Sequence, residues 1–347
     1  GGRSDQGRPT TLSATCTVKD HEEQSDGRVI EGAIPLGIGV EVQTGELSKQ
    51  FRVVIGEHHG RLVLPGIRNN PDEKKDPAIL CPPLLEEPSI ESHLGDRAWG
   101  WLMGSETAIV QTAILRFFVR GADAEIVESG QAIAEAAEAW RDNLLQWVQA
   151  LSGQECTCTR RPVMQVKGSR VFLWYVQSES GKPLPARTSG YVAATSYSPN
   201  PISPSDWSFS LDQASRGIEI PLAHLLLNAA SCAAADMDVR KSILDACAAA
   251  EIGIRDAMRQ KLMTIGEGVL VDHVLTSTRG IDRLAQLARK FGIPVSTNAV
   301  RGIAEPRNQV AHKGDHPTLT VAHEVIGRAR DILRLVCPIG AAVASRE

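Results

Sequence analysis

Arg307-Asn308-Gln309-Val310-Ala311-His312, closing on Lys313-Gly314, sets a fixed cation, an amide and an imidazole within little more than one helical turn, ahead of a glycine suited to end a helix. Upstream, Gly292-Ile293-Pro294 breaks the chain, and Ser296 or Thr297 can cap a helix leading into the run. Downstream, a final helix starts near Thr320, turns Ala322, Val325, Ile326, Ala329, Ile332, Leu333 and Val336 to one side, and stops at Pro338.

The same periodicity extends further upstream. Shorter helical pieces are expected at residues 280–291 and 269–275. A long helix is expected behind Asp236 or Asp238, with the stripe Ile243, Ala246, Cys247, Ala250, Ile254, Ala257, Met258 and Leu262. Residues 222–234 form an Ala/Leu-rich segment before it. Helices of this length with short connections imply an antiparallel all-α bundle over residues 216–347.

The remainder has a different texture. Residues 1–30 read as a flexible polar lead-in with at most an edge strand. Short β-branched runs split by glycine turns across residues 34–65 predict a β-meander, and residues 107–119 a long strand. Residues 128–151 predict an amphipathic helix ended by Gly153. Strands are expected at 171–176 and 191–195, and a Pro/Ser-rich turn region at 196–206.

All six tryptophans fall between residues 99 and 207, which suits an aromatic core or, as the other reading, a stacking surface for bases or a ligand. The fold class is therefore α+β: a β-rich domain with one long helix over residues 31–215, then the helical bundle.

Composition narrows the function classes. Of 347 residues, 42% are hydrophobic and 22% charged, and no run reaches the roughly 18 apolar residues of a membrane span. A non-membrane, cytoplasmic protein is expected. Seven scattered cysteines suggest reduced, buried thiols. Residues 220–347 carry 16 Lys and Arg against 13 Asp and Glu, a mildly basic balance compatible with a polyanionic partner.

In an α-helix Asn308 and His312 share a face, so the amide can orient the imidazole. Arg307 and His312 lie about 140° apart around the axis, at 100° per residue. Convergence on one atom then requires the reach of the arginine or a second copy of the helix across a dimer interface. A guanidinium holds phosphate oxygens and a histidine moves protons near neutral pH, which suits metal-free phosphodiester cleavage where RNA supplies its own 2′-hydroxyl nucleophile.

Arg307, four residues and His312, with Asn308 behind the arginine and Gly314 just beyond, in a bundle followed by one more amphipathic helix, resembles the Arg-x(4 to 6)-His signature of HEPN domains. The resemblance covers residues 220–340. Families with that signature include ribonuclease toxins and antiphage-defence effectors whose domains dimerise and pair their motifs in one cleft. It implies a metal-independent endoribonuclease acting on single-stranded RNA, with no cofactor and a homodimer through the bundle. His312 would be base or acid, Arg307 would stabilise the phosphorane-like transition state and Asn308 would orient the site.

Lys313, His316 and Arg283 are the candidate substrate contacts, and Arg289 and Lys290 could extend an RNA path. Pro306, directly before the arginine, should either restart the helix or kink it. Residues 31–215 would sense or recruit, through a ligand or a regulatory protein. The competing reading is a non-catalytic adaptor whose bundle only dimerises.

Other motifs carry less. Cys156-Thr157-Cys158 and His58-His59 lack the two-plus-two spacing of a zinc site, and no metal is expected. Gly37-Ile38-Gly39 lacks the third glycine and following helix of a dinucleotide fingerprint. His224 and His273 read as core-edge residues.

Overall fold

The computed structural model describes residues 27–67, 79–83, 99–157, 170–180, 183–191, 201–266, 268–313 and 317–340. Its architecture is α+β, with an antiparallel sheet in the N-terminal part and helices concentrated in the C-terminal part.

Two strands organise the sheet: β1 (Arg28–Gln43) and β7 (Thr107–Val119). Both are buried along nearly their whole length; most of their residues are apolar, and Glu31, Glu41, Gln111, Thr112 and Arg116 are buried with them. They pair antiparallel from Arg28↔Val119 to Gln43↔Thr107, with a register shift between Pro35 and Val40. Gly37 sits in that shift at φ 59°, and a Cβ there would lie 2.0 Å from the Cys156 carbonyl oxygen. Gly37 and Gly39, both at positive φ, serve this β-bulge, Gly37 against the chain that follows the long helix.

The expected meander is corrected. β2 (Gln50–Ile55) and β3 (His58–Val63) form a hairpin, but β3 pairs next with β7, and β1 lies between β7 and β8 (Arg170–Gln177). Both edges of β1 are taken by distant strands, so β1 and β2 are not neighbours. The strand after β8 is β9 (Pro183–Tyr191), ahead of the expected 191–195, of which 192–195 lie outside the described residues. The expected lead-in ends sooner than residue 30, because β1 already begins at Arg28; residues 1–26 are outside the description. β4 (Gly66–Ile67) and β5 (Leu80–Cys81) make a small separate ladder, and β6 (Gly100–Met103) pairs with β7.

Helix α1 (Asp123–Ser152) packs against the sheet through Ile126, Ile133, Ala137, Trp140 and Leu144. Glu125 accepts the Ala122 N–H at 2.8 Å at its start, and Gly153 ends it at φ 77°. α2 (Pro204–Ser215) begins within the end of the region read as a turn, of which residues 196–200 lie outside the described residues. Ser203 accepts from the Asp206 N–H and Pro204 occupies the first turn, so these residues begin a helix. Trp207, Leu211 and Ala214 of α2 join the first hydrophobic cluster, with Trp99, Trp140 and Trp174, so the aromatics form a core.

A second hydrophobic cluster begins at Ala223 and runs to Leu333. It is built by α3 (Leu222–Ala235), α4 (Val239–Met263), α5 (Gly268–Ser277), α6 (Ile281–Lys290), α7 (Thr297–Asn308) and α8 (Leu319–Val336). Asp238, Ser296 and Thr318 cap α4, α7 and α8 through side-chain oxygens.

The two clusters meet along α1 and α3. Asn228 Nδ2 donates to the Gln146 carbonyl at 2.9 Å and to Gln146 Oε1 at 2.8 Å, and Gln149 Nε2 donates to the Asn228 carbonyl at 3.1 Å. Buried amides paired in both directions fix the α1–α3 contact. Among the described residues no helix is long and apolar enough to cross a membrane.

Candidate functional site

Helix α7 buries Val300, Ile303 and Ala304 and leaves Arg307 half-buried in its last turn, where a cation suits the helix dipole. Pro306 neither restarts the helix nor ends it: α7 passes through it to Asn308. A π-helical segment follows directly, Gln309–Lys313, with Val310 fully buried as its anchor. Pro306 has no N–H for the Gly302 carbonyl, so regular i→i−4 bonding is already broken one turn upstream of the segment. In a π turn the i→i+5 pattern widens the helix, and each residue rotates less than in an α-helix. Position 312 therefore lies nearer to position 307 around the axis than the 140° of an unbroken α-helix.

Arg307 Nη1 donates to Asn308 Oδ1 at 3.1 Å. The Asn308 oxygen is thus engaged by the arginine, whereas its sequence position suggested a bond to the imidazole. Asn308 itself is exposed. The backbones of His312 and Lys313 belong to the π segment, while their side chains, and His316 entirely, lie outside the described residues. Arg283 is exposed on α6, a helix that packs on α7.

Beneath this end of α7 lies Cys247 of α4. Burial pushes its thiol up to about 11; the charge of Arg307 pulls the other way, and Glu251 and Asp282 add to the rise. Such a thiol stays protonated near neutral pH, so Cys247 fills the core and is no nucleophile. Arg307 consequently shares a charged neighbourhood with carboxylates from α4 and α6. Glu251 is paired to Arg255 Nη2 at 2.9 Å.

Several other candidates resolve into structural roles. Nε2–H of His224 donates to the Cys337 carbonyl at 2.7 Å and ties α3 to the end of α8. Burial lowers its pKa, partly opposed by that bond. His273 is exposed, because α5 turns Val271 and Leu275 inward; the core-edge expectation for it fails.

Burial pushes the Cys156 thiol up to about 12, and its Sγ lies 3.3 Å from the Leu145 carbonyl. Cys81, Cys156, Cys247 and Cys337 are free. Cys232 is disulfide-bonded, which corrects the expectation of reduced thiols throughout. Its sulfur lies 3.4 Å from Thr157 Oγ1, beside the chain leaving α1. Among the described residues no group of three or more His, Cys, Asp or Glu could hold a metal ion.

Sequence reasoning missed the π segment, for which Pro306 was the available signal. It also missed a groove where α1, α2, α3 and β2 meet, which depends on tertiary contacts. Comparisons with protein-family models, with curated proteins and with solved structures gave no match to this chain.

Proposed function

We propose that the C-terminal bundle is a HEPN-like, metal-independent endoribonuclease of the toxin or antiphage-defence type, acting on single-stranded RNA in the cytoplasm as a homodimer. The observation that supports this reading is the Arg307–Asn308 pair at the end of α7, continued by a π turn that carries position 312 toward the arginine's side. π-helical insertions of this kind are frequent at functional sites.

In the proposed reaction the RNA 2′-oxygen attacks the adjacent phosphorus. The P–O2′ bond forms and the P–O5′ bond breaks, giving a 2′,3′-cyclic phosphate and a 5′-hydroxyl. His312 of one copy takes the 2′-proton, and His312 of the other gives a proton to the departing 5′-oxygen. Arg307, held by Asn308, stabilises charge on the non-bridging oxygens. Lys313, His316 and Arg283 contact the flanking phosphates. The N-terminal sheet and α1 regulate or recruit.

Incubation of the wild type and His312→Ala with single-stranded RNA in EDTA tests the reading. Cleavage by the wild type alone supports it; equal cleavage by both, or none by either, removes it.

One observation favours a second reading, a non-catalytic adaptor. Met263, Ile265, Val269 and Leu270 are 54%, 66%, 84% and 62% exposed around the α4–α5 junction, an apolar surface suited to a protein partner.

A further inference from the structure

The groove at the meeting of the two hydrophobic clusters has a volume of about 620 Å³, within the range of small-molecule sites. One wall is the α1 face carrying Ala136, Ala139 and Trp140; the other is the chain from Ser215 to Ile220 with Leu225 of α3. Small side chains make the space. Alanine occupies positions 136 and 139 of α1, and a Cβ built on Gly56 or Gly217 would meet nothing within 4 Å.

The second wall is pinned. Asn143 Nδ2 and Trp147 Nε1 each donate to the Ile218 carbonyl at 3.0 Å, and Ser215 Oγ accepts the Val54 N–H of edge strand β2 at 3.1 Å. A cavity whose walls are already tied together by such bonds costs a ligand little reorganisation.

Its charges select the ligand class. Asp142 is paired with Arg141 at 2.7 Å, and Arg216 with Asp212 at 3.4 Å. Glu219 is the one charged lining residue without an ion-pair partner among the described residues. Glu219 is exposed at the rim, beside Leu225, Ile220 and Trp140 in the lining, and its carboxylate complements an apolar body carrying one positive charge.

We propose that this groove binds a small organic amine, its apolar body on Ala136, Ala139 and Trp140 and its ammonium group on Glu219. Because the groove is formed by α1, α2 and α3 together, such a ligand braces the connection between the sheet and the bundle. The proposal does not depend on the ribonuclease reading.

Phenethylamine and phenylacetate share one apolar body and carry opposite charges, so titrating the full chain with each by calorimetry tests it. Phenethylamine should bind at least tenfold more tightly than phenylacetate. Glu219→Gln should weaken phenethylamine at least fivefold, and Ala139→Trp, which fills the groove from an exposed helix position, should abolish binding while thermal unfolding stays cooperative. Equal binding of the two compounds, binding of neither, or unchanged affinity in Glu219→Gln or Ala139→Trp would overturn it.

Discussion

Arg307 Nη1 donates to Asn308 Oδ1 at 3.1 Å at the point where α7 gives way to the π segment. The neighbouring amide is therefore a rest for the guanidinium. Replacing Asn308 by Ala should remove this contact and lower the cleavage rate roughly tenfold, ~1.4 kcal/mol of barrier. Asn308 is exposed, so the unfolding temperature should stay nearly unchanged. Single-turnover kinetics with a defined RNA, beside thermal unfolding, check both halves.

Pro306→Ala returns an N–H to the helix opposite the Gly302 carbonyl. A proline within a helix costs up to ~3 kcal/mol relative to alanine, so the variant should be the more stable protein. If regular α-geometry then spreads through residues 309–313, position 312 rotates away from Arg307 and RNA cleavage should fall. Denaturant unfolding and a cleavage assay would show the two moving in opposite directions.

Gly253 of α4 packs directly under α8: a Cβ there would lie 2.3 Å from Leu333 Cδ2, and Leu333 is fully buried. Gly253→Ala should therefore separate α4 and α8 at a cost of about 1–3 kcal/mol, against the small gain alanine brings to an unconstrained helix. Urea unfolding measures it; unchanged or raised stability would contradict the close packing.

His224 gives stability a pH dependence of definite sign. Burial holds its folded pKa below the ordinary histidine value of about 6.5, and the bond to the Cys337 carbonyl opposes this only in part. As pH falls below about 6.5 the unfolded chain takes up the proton first, so the contribution of this group declines until the folded pKa is passed. Between about pH 7.5 and about pH 5.5, wild type should lose more stability than His224→Gln. Parallel denaturant curves would reveal a steeper loss in the variant if the sign were wrong.

What could be read from the chain was what repeats locally. The stripe of α4 from Ile243 to Leu262, the bounds of β7 and the glycine stop of α1 follow from spacing alone. The sheet order did not, because pairing of β3 and β1 with β7 joins residues far apart in sequence and leaves no local mark. Helix α2 was hidden because Ser203-Pro204-Ser205-Asp206 uses the same residue types for a cap as for a turn.

At the candidate site, Arg307 and Asn308 were visible as residue types. The π geometry that follows them was not, since a proline announces an interruption without saying which form it takes. The state of Cys232 was equally invisible, because seven scattered cysteines carry no pairing information.

The most direct test of the central claim is analysis of the RNA ends left by the full chain in EDTA. The wild type should leave 2′,3′-cyclic phosphate and 5′-hydroxyl termini, and His312→Ala and Arg307→Ala should leave the RNA intact. Ends bearing 3′-hydroxyl groups, equal cutting by either variant, or no cutting by the wild type would contradict it.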